Sequence, residues 1–215
     1  MFSYICKKPK VLNLPTTYKT LKAQSGGIYK EKGSKFIGIA VPCSTEIQAK
    51  EFLEKWRKEH FQARHLCYAY RFGANMEIYR ANDDGEPSNS AGPPILGQIQ
   101  SFELTNVLIG VVRYYGGVKL GVGGLINAYR TAAREALEQG EIITSIVKDI
   151  FELSFSYEEM PFIMSVIKES DIAILQQNFE GDCTLLIESP ITISPTLLNK
   201  LESFSTLSIR KSSYV

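Results

Sequence analysis

The sequence predicts an α+β protein in two parts, a larger one over residues 1–140 and a smaller one over 141–215. Three observations lead there. A long apolar strand, "NVLIGVVRYY", runs into a glycine-rich loop and then into a helix whose inner face is largely alanine. Beyond Gly140 the apolar periods change order, to strand, helix, strand, strand, helix, strand. The charge changes sign at the same place: residues 1–140 carry a net +7 and residues 141–215 a net −6, within a total of +1.

Taken in order, residues 1–15 read as a loose leader ending at Pro15. "TYKTLKAQ" and "GGIYKEKGSKFIGIAVPC" read as strands, the second stretch broken at a turn near Gly33. Ser44 and Thr45 are candidate N-caps, and Gln48 stands three residues after Thr45, as in a capping box. Ile47, Ala49, Phe52, Leu53 and Trp56 follow helical spacing, which predicts an amphipathic helix over 45–60. "HLCYAYRF" and "MEIYRA" read as neighbouring strands joined at Gly73–Asn75. "NDDGEPSNSAGPP" is dense in turn formers and is a loop. "PILGQIQSFEL" is a short helix starting after prolines. "NVLIGVVRYY" has almost no polar residue until its end and is a central strand.

Leu125, Ala128, Tyr129, Ala132, Ala133, Ala136 and Leu137 share one helical face, slim enough to lie close on a sheet, and Gly140 ends that helix. In the tail, "SIVKDIFELSFS", "EEMPFIMSVIKES", "IAILQQ", "DCTLLIES", "SPTLLNKLES" and "TLSIRKSS" give β-α-β-β-α-β, the split-βαβ or ferredoxin-like pattern.

With 44% hydrophobic and 22% charged residues, the composition is that of a globular protein and excludes a disordered chain. No apolar run approaches the roughly 20 residues that span a bilayer, so no membrane partner is expected. In "MFSYICKKPK" the lysines follow a short apolar stretch, whereas a signal peptide places them before a longer one. The expected location is the cytoplasm. Cys6, Cys43, Cys67 and Cys183 include no CxxC pair and meet no histidine-rich segment, so reduced, mostly buried thiols are expected and zinc is not. Neither a metal nor a cofactor is predicted.

"RYYGGVKLGVGGLINAYR", from Arg113 to Arg130, holds five glycines, three tyrosines, two arginines and a lysine. Glycine this dense costs conformational entropy, so the bare backbone must serve a purpose. A strand, a glycine turn and a helix N-terminus together make an anion site, because amide groups point outward and the helix dipole adds positive potential. Gly121, Gly123 and Gly124 stand where the helix begins, and Arg113 and Lys119 flank the turn that contains Gly116 and Gly117. Named phosphate motifs are excluded: GxxxxGK[ST] is absent, and "GVGGLI" lacks the third glycine of GxGxxG. The competing reading is that the glycines only let the loop pack against "DDGEPS". Among the tyrosines, Tyr114 and Tyr115 beside Arg113 are best placed to stack bases, while Tyr68, Tyr70, Tyr79 and Tyr129 fit a core edge.

Asp83, Asp84 and Glu86 are candidate acid, base or cation ligands. Adjacent carboxylates on extended chain point opposite ways, and no Glu lies six residues after Gly85, which excludes an EF-hand. A weak magnesium site stays open. Turn chemistry with ion pairs to Arg113 or Lys119 is the favoured reading. His65 and Cys67 share a strand face, but i,i+2 neighbours stand about 7 Å apart, so no catalytic dyad is assigned. His60 closes the first helix, where a cation suits the dipole.

In order and spacing, "ARHLCYAYRFG", "DDGEPSNSAGPPIL", "NVLIGVVRYYGGVKLGVGGLINAYRTAA" and the tail resemble the YigZ/IMPACT family, from about Lys30 onward. The resemblance implies a first domain of ribosomal-protein-type βαβ fold, similar to domain IV of elongation factor G, and a tail similar to its domain V. It implies no established enzyme activity, and nucleic-acid binding for bacterial members. Eukaryotic relatives add an N-terminal domain and regulate translation under amino-acid starvation through a kinase-activating partner. That domain is expected to be missing here, so the role is not expected to transfer. By position, the family motifs fall on Arg64 and His65, on Asp83, Asp84, Gly85, Glu86 and Pro87 with Ala91 and Gly92, and on Arg113 to Arg130. Where the family reads Gly-Thr, this chain has Asn89-Ser90. Asn tolerates left-handed dihedrals and Ser keeps the hydroxyl, so the loop shape is expected to survive.

The expected function is a non-enzymatic cytosolic regulator that binds structured RNA or the ribosome and acts in regulation of translation. Its phosphates would sit on Arg113, Lys119, Arg130, Arg64, His65 and the glycine loop, with Tyr114 and Tyr115 stacking. One alternative is a hydrolase or transferase on a phosphorylated small molecule. Another is a protein-interaction module whose acidic tail docks onto a basic partner.

Overall fold

A computed structural model describes residues 15–180 and 183–214, with side chains to Lys211. Cys6 and the leader before Pro15 lie outside the described residues. The first part runs β1 (Thr17–Leu21), β2 (Ser25–Glu31), β3 (Ser34–Pro42), α1 (Glu46–Glu59), β4 (His65–Phe72), β5 (Ile78–Asn82), α2 (Gly92–Ser101), β6 (Val107–Tyr114) and α3 (Gly121–Glu138). It continues through β7 (Ile142–Ile146), β8 (Lys148–Phe155), α4 (Met160–Glu169), β9 (Ala173–Asn178), β10 (Cys183–Pro190), α5 (Ser194–Leu201) and β11 (Ser208–Tyr214). The architecture is mixed α+β.

Residues Val107 to Arg113 are all buried, so β6 must lie mid-sheet with a layer on each face. It is the central strand of an antiparallel sheet ordered β2-β3-β6-β4-β5. Val107, Ile109 and Val111 pack with α2 and α3, while Leu108 and Val112 pack with Trp56 of α1. The alternation along one strand thus builds two cores. Helix α1 starts as its sequence predicts, with the Gln48 amide donating to the Thr45 hydroxyl at 3.2 Å. The Gln48 carboxamide accepts from the amide of Ser44 rather than of Thr45. Helix α2 begins at Gly92, two residues earlier than predicted, because its prolines fit the first turn, where no amide donor is needed.

The buried residues of α3 are Leu125, Ala128, Tyr129, Ala132, Ala133, Ala136 and Leu137, the predicted face. Small residues bring the helix onto β2 and β3. A Cβ on Gly38 would stand 2.2 Å from the Ala132 carbonyl oxygen, so no larger residue fits there without moving the helix.

Beyond α3 the order β8-α4-β9-β10-α5-β11 is the predicted one, and the sheet is ordered β11-β8-β10-β9. Its core joins Phe151, Leu153, Leu185 and Ile187 to Ile163 and Ile167 of α4 and Leu197 and Leu201 of α5. The single strand expected over "SIVKDIFELSFS" is two. β7 pairs with β1, 120-odd residues earlier, and β8 pairs with β10 and β11. The break is the buried Val147, whose amide donates to the Thr16 carbonyl and whose carbonyl accepts from Ile191, both at 2.9 Å. No helix is long and apolar enough to cross a membrane among the described residues.

Gly38→Ala is expected to lower stability by about 1–3 kcal/mol through overpacking against α3. Gly97→Ala, in α2 with no atom within 4 Å of its added Cβ, is expected to raise it by about 0.5–1 kcal/mol through backbone entropy. Urea unfolding of both variants checks the pair.

Candidate nucleic-acid interface

The start of β4 and the end of β6 meet where His65 pairs with Arg113 across the ladder. The acidic loop after β5 and the glycine loop after β6 close over this end of the sheet. Glu86 sits between them. Its carboxylate accepts from Arg113 Nη1 at 2.6 Å and from the Tyr129 hydroxyl at 2.7 Å. Arg113 is 6% exposed and Glu86 9%. Stripping water from two charges costs several kcal/mol each, so they remain buried only as a pair with further hydrogen bonds. Burial pushes the Tyr129 hydroxyl far above the ordinary tyrosine range and keeps it a neutral donor. The Arg113 guanidinium lies 5.5 Å from the centre of the Phe36 ring and 5.4 Å from that of Tyr115. Its Nε is buried without a hydrogen-bond partner among the described residues.

The other two carboxylates turn elsewhere. Asp83 accepts from the amides of Asn89, Ala91 and Gly92 at 2.8–2.9 Å, so it caps the start of α2. Asp84 accepts from the Leu66 amide at 2.6 Å and from Arg57 at 2.7 Å. The Asp84 carbonyl accepts from His65 Nδ1 at 2.7 Å. A carbonyl only accepts, so Nδ1 carries a proton, and in the neutral ring Nε2 is the acceptor. Of the two cations expected to pair with this loop, Arg113 does so through Glu86, whereas Asp84 pairs with Arg57. No group of three or more His, Cys, Asp or Glu side chains that could hold a metal ion occurs among the described residues. Cys67 donates to the Asp83 carbonyl at 3.0 Å, and burial pushes its thiol up, away from the nucleophilic thiolate.

Asn89 has φ +63°, and the buried Ser90 hydroxyl donates to the Pro87 carbonyl at 2.5 Å. Asn89 thus adopts the left-handed conformation that its residue type tolerates.

Above this buried node lies a cleft of about 490 Å³, lined by Arg64, His65, Glu86, Pro87, Arg113, Tyr115, Lys119, Leu120, Gly121, Val122 and Leu125. Helix α3 enters it with its first turn, which no side chain caps and which has no acidic residue. Gly121 has φ +73° there, a left-handed conformation that glycine adopts without steric cost. Arg64 and Lys119 are exposed and form no ion pair among the described residues.

Of the twelve residues predicted to bind, Arg64, His65, Arg113, Tyr115, Lys119 and Gly121 line the cleft and the other six do not. Tyr114 points to the opposite face of β6, its hydroxyl 2.9 Å from His60 Nδ1, because successive strand residues alternate. Arg130 is exposed on α3 and is not among the cleft residues. Gly116 serves a close approach: a Cβ there would lie 1.9 Å from the Gly33 carbonyl carbon. Gly123 and Gly124 belong to the helix, Gly117 to the turn before it, and Asp83, Asp84, Gly85, Ala91 and Gly92 shape the loop around Glu86. Sequence reasoning missed the apolar wall of Leu120, Val122 and Leu125, and Arg57. It placed Tyr129 on the core face without its partner. The signal was there, since Tyr129 is the one hydroxyl on an otherwise aliphatic buried face and a buried hydroxyl needs an acceptor.

Fold and cleft together define a mixed α+β protein with a basic cleft between an acidic and a glycine-rich loop. Residues 32–137 match the family model of the Impact N-terminal domain. The chain is 32% identical over 181 residues to the IMPACT family member YigZ of Escherichia coli, covering 83% of this chain and 89% of that one. It is 38% identical over 146 residues to the IMPACT family member YvyE of Bacillus subtilis, covering 68% of this chain and 67% of that one. A crystal structure described as that of a hypothetical protein aligns with a TM-score of 0.75 at 29% identity, covering 93% of this chain and 99% of that one. The chain belongs to the IMPACT family.

Arg113→Met leaves a buried unpaired carboxylate and is expected to cost about 3–5 kcal/mol of stability. Adding Glu86→Leu should recover part of that loss. A double-mutant cycle by urea unfolding measures the coupling, and additive losses would mean that the pair does not act as a unit.

Proposed function

We propose that this chain is a non-enzymatic RNA-binding protein acting in the regulation of translation in the cytoplasm, and that the cleft holds phosphates of structured RNA. The observation that carries this reading is a local charge balance. Glu86 is neutralised by Arg113, which leaves Arg64 and Lys119 exposed and without an ion pair among the described residues, beside the start of α3 that no side chain caps. Positive side chains and free amide groups around one cleft suit a phosphate. The carboxylates and the thiol that a hydrolase or transferase would use are held by structural hydrogen bonds, which favours binding over catalysis.

Residues 1–140 form the binding domain in this reading, of the ribosomal-protein type also found in domain IV of elongation factor G. Residues 141–215 form the second domain, of ferredoxin-like split-βαβ type. The sheet order β11-β8-β10-β9 supports the latter assignment. The acidic second domain is the surface to which a basic protein partner would dock.

The test is fluorescence anisotropy of labelled tRNA and of a ribosomal RNA fragment across a salt series. Binding is expected to weaken steeply with salt, and Arg64→Glu/Lys119→Glu to reduce the log–log slope by about 2. Arg113 is unsuited to this test, because its substitution unpairs Glu86. Unchanged slope and affinity in the double variant, or no binding at low salt, would overturn the proposal.

A further inference from the structure

The cleft combines features that a duplex does not use. A duplex offers phosphates and sugars to a basic surface, with its base faces stacked inside. Here the basic rim of Arg64 and Lys119 encloses an apolar wall of Pro87, Leu120, Val122 and Leu125. A volume of about 490 Å³ is on the scale of one small ligand. An unpaired nucleotide supplies both kinds of surface, an anionic phosphate and a flat, weakly polar base.

Tyr115 stands in that wall, 43% exposed. The centre of its ring lies 5.4 Å from the Arg113 guanidinium, a cation–π contact, and the guanidinium is fixed in turn by Glu86 and by the Phe36 ring. An aromatic ring held this way is oriented before any ligand arrives, so seating a base loses little side-chain entropy. Arg113 also forms part of the wall, and its Nε is a buried donor without an acceptor among the described residues.

We propose that the cleft receives a single unpaired nucleotide of the RNA, its base stacked on Tyr115 and its phosphate held by Lys119, Arg64 and the first turn of α3. This inference rests on the RNA-binding reading above.

The experiment compares a labelled RNA hairpin with an unpaired loop against a fully paired RNA of equal length, in anisotropy titrations. The hairpin is expected to bind more tightly. Tyr115→Ala is expected to weaken the hairpin by about 5- to 150-fold, the range of one base stacked on an aromatic ring. Tyr115→Phe should retain the affinity, and Tyr115→Ala should leave the salt slope unchanged, since it removes no charge. Adenosine 5′-monophosphate should displace the hairpin, and inorganic phosphate at equal ionic strength should not. If paired and unpaired RNA bind alike and Tyr115→Ala changes nothing, while Arg64→Glu/Lys119→Glu still lowers the slope, the inference falls and the RNA reading stands. If neither RNA binds at low salt, both fall, including the case in which the mononucleotide alone binds.

Discussion

The Glu86–Arg113 ion pair is the constraint around which this protein is arranged. Its members come from a loop and a central strand, and the Tyr129 hydroxyl adds a helix to the same carboxylate oxygen. Two buried charges impose exacting geometry, because neither can regain water if the other shifts. The acidic loop must therefore come down onto the sheet. Helix α3 must lie close enough for Tyr129 to reach Glu86, and that closeness depends on the alanines of its inner face and on Gly38 beneath them. The glycine loop follows, since it joins the strand that ends beyond Arg113 to the helix that carries Tyr129.

The same pair sets the electrostatics of the cleft. A loop that reads as acidic presents almost no free negative charge toward it. Asp83 is spent on the start of α2, Asp84 on Arg57 and the Leu66 amide, and Glu86 on Arg113. What remains at the rim is positive. The acidic motif works here as a mould for the basic one, holding β4, α2 and β6 in place with three carboxylates that each meet a different partner set.

The parts of this arrangement legible in the sequence were those with a period or a contiguous motif. The buried face of α3 follows from a 3.6-residue repeat, and β6 from an unbroken apolar run. The cleft was legible as a cluster because its loops are continuous stretches. Partners that are backbone amides were not, since a pattern of side chains contains no sign that Asp83 would meet Ala91 and Gly92. The break at Val147 was hidden for a similar reason. No proline or glycine marks it, and only the pairing of β7 with β1 from the far end of the chain requires it. Tyr114 and Tyr115 looked alike as a dipeptide, yet strand alternation sends one to His60 and the other to Arg113.

The sign change along the chain complements this cleft. In the tail, Lys148 pairs with Glu188 at 2.5 Å, Lys211 with Asp149 at 2.8 Å and Arg210 with Glu152 at 4.0 Å. The net −6 of residues 141–215 is left to repel a polyanion, while the net +7 of residues 1–140 attracts one. Exposed charges act over about a Debye length, roughly 8–10 Å at physiological ionic strength. In the RNA-binding reading proposed above, attraction on one part and repulsion on the other would narrow the orientations in which a polyanion approaches. Such steering acts on the rate of encounter and on orientation more than on the final affinity, which the contacts inside the cleft must supply.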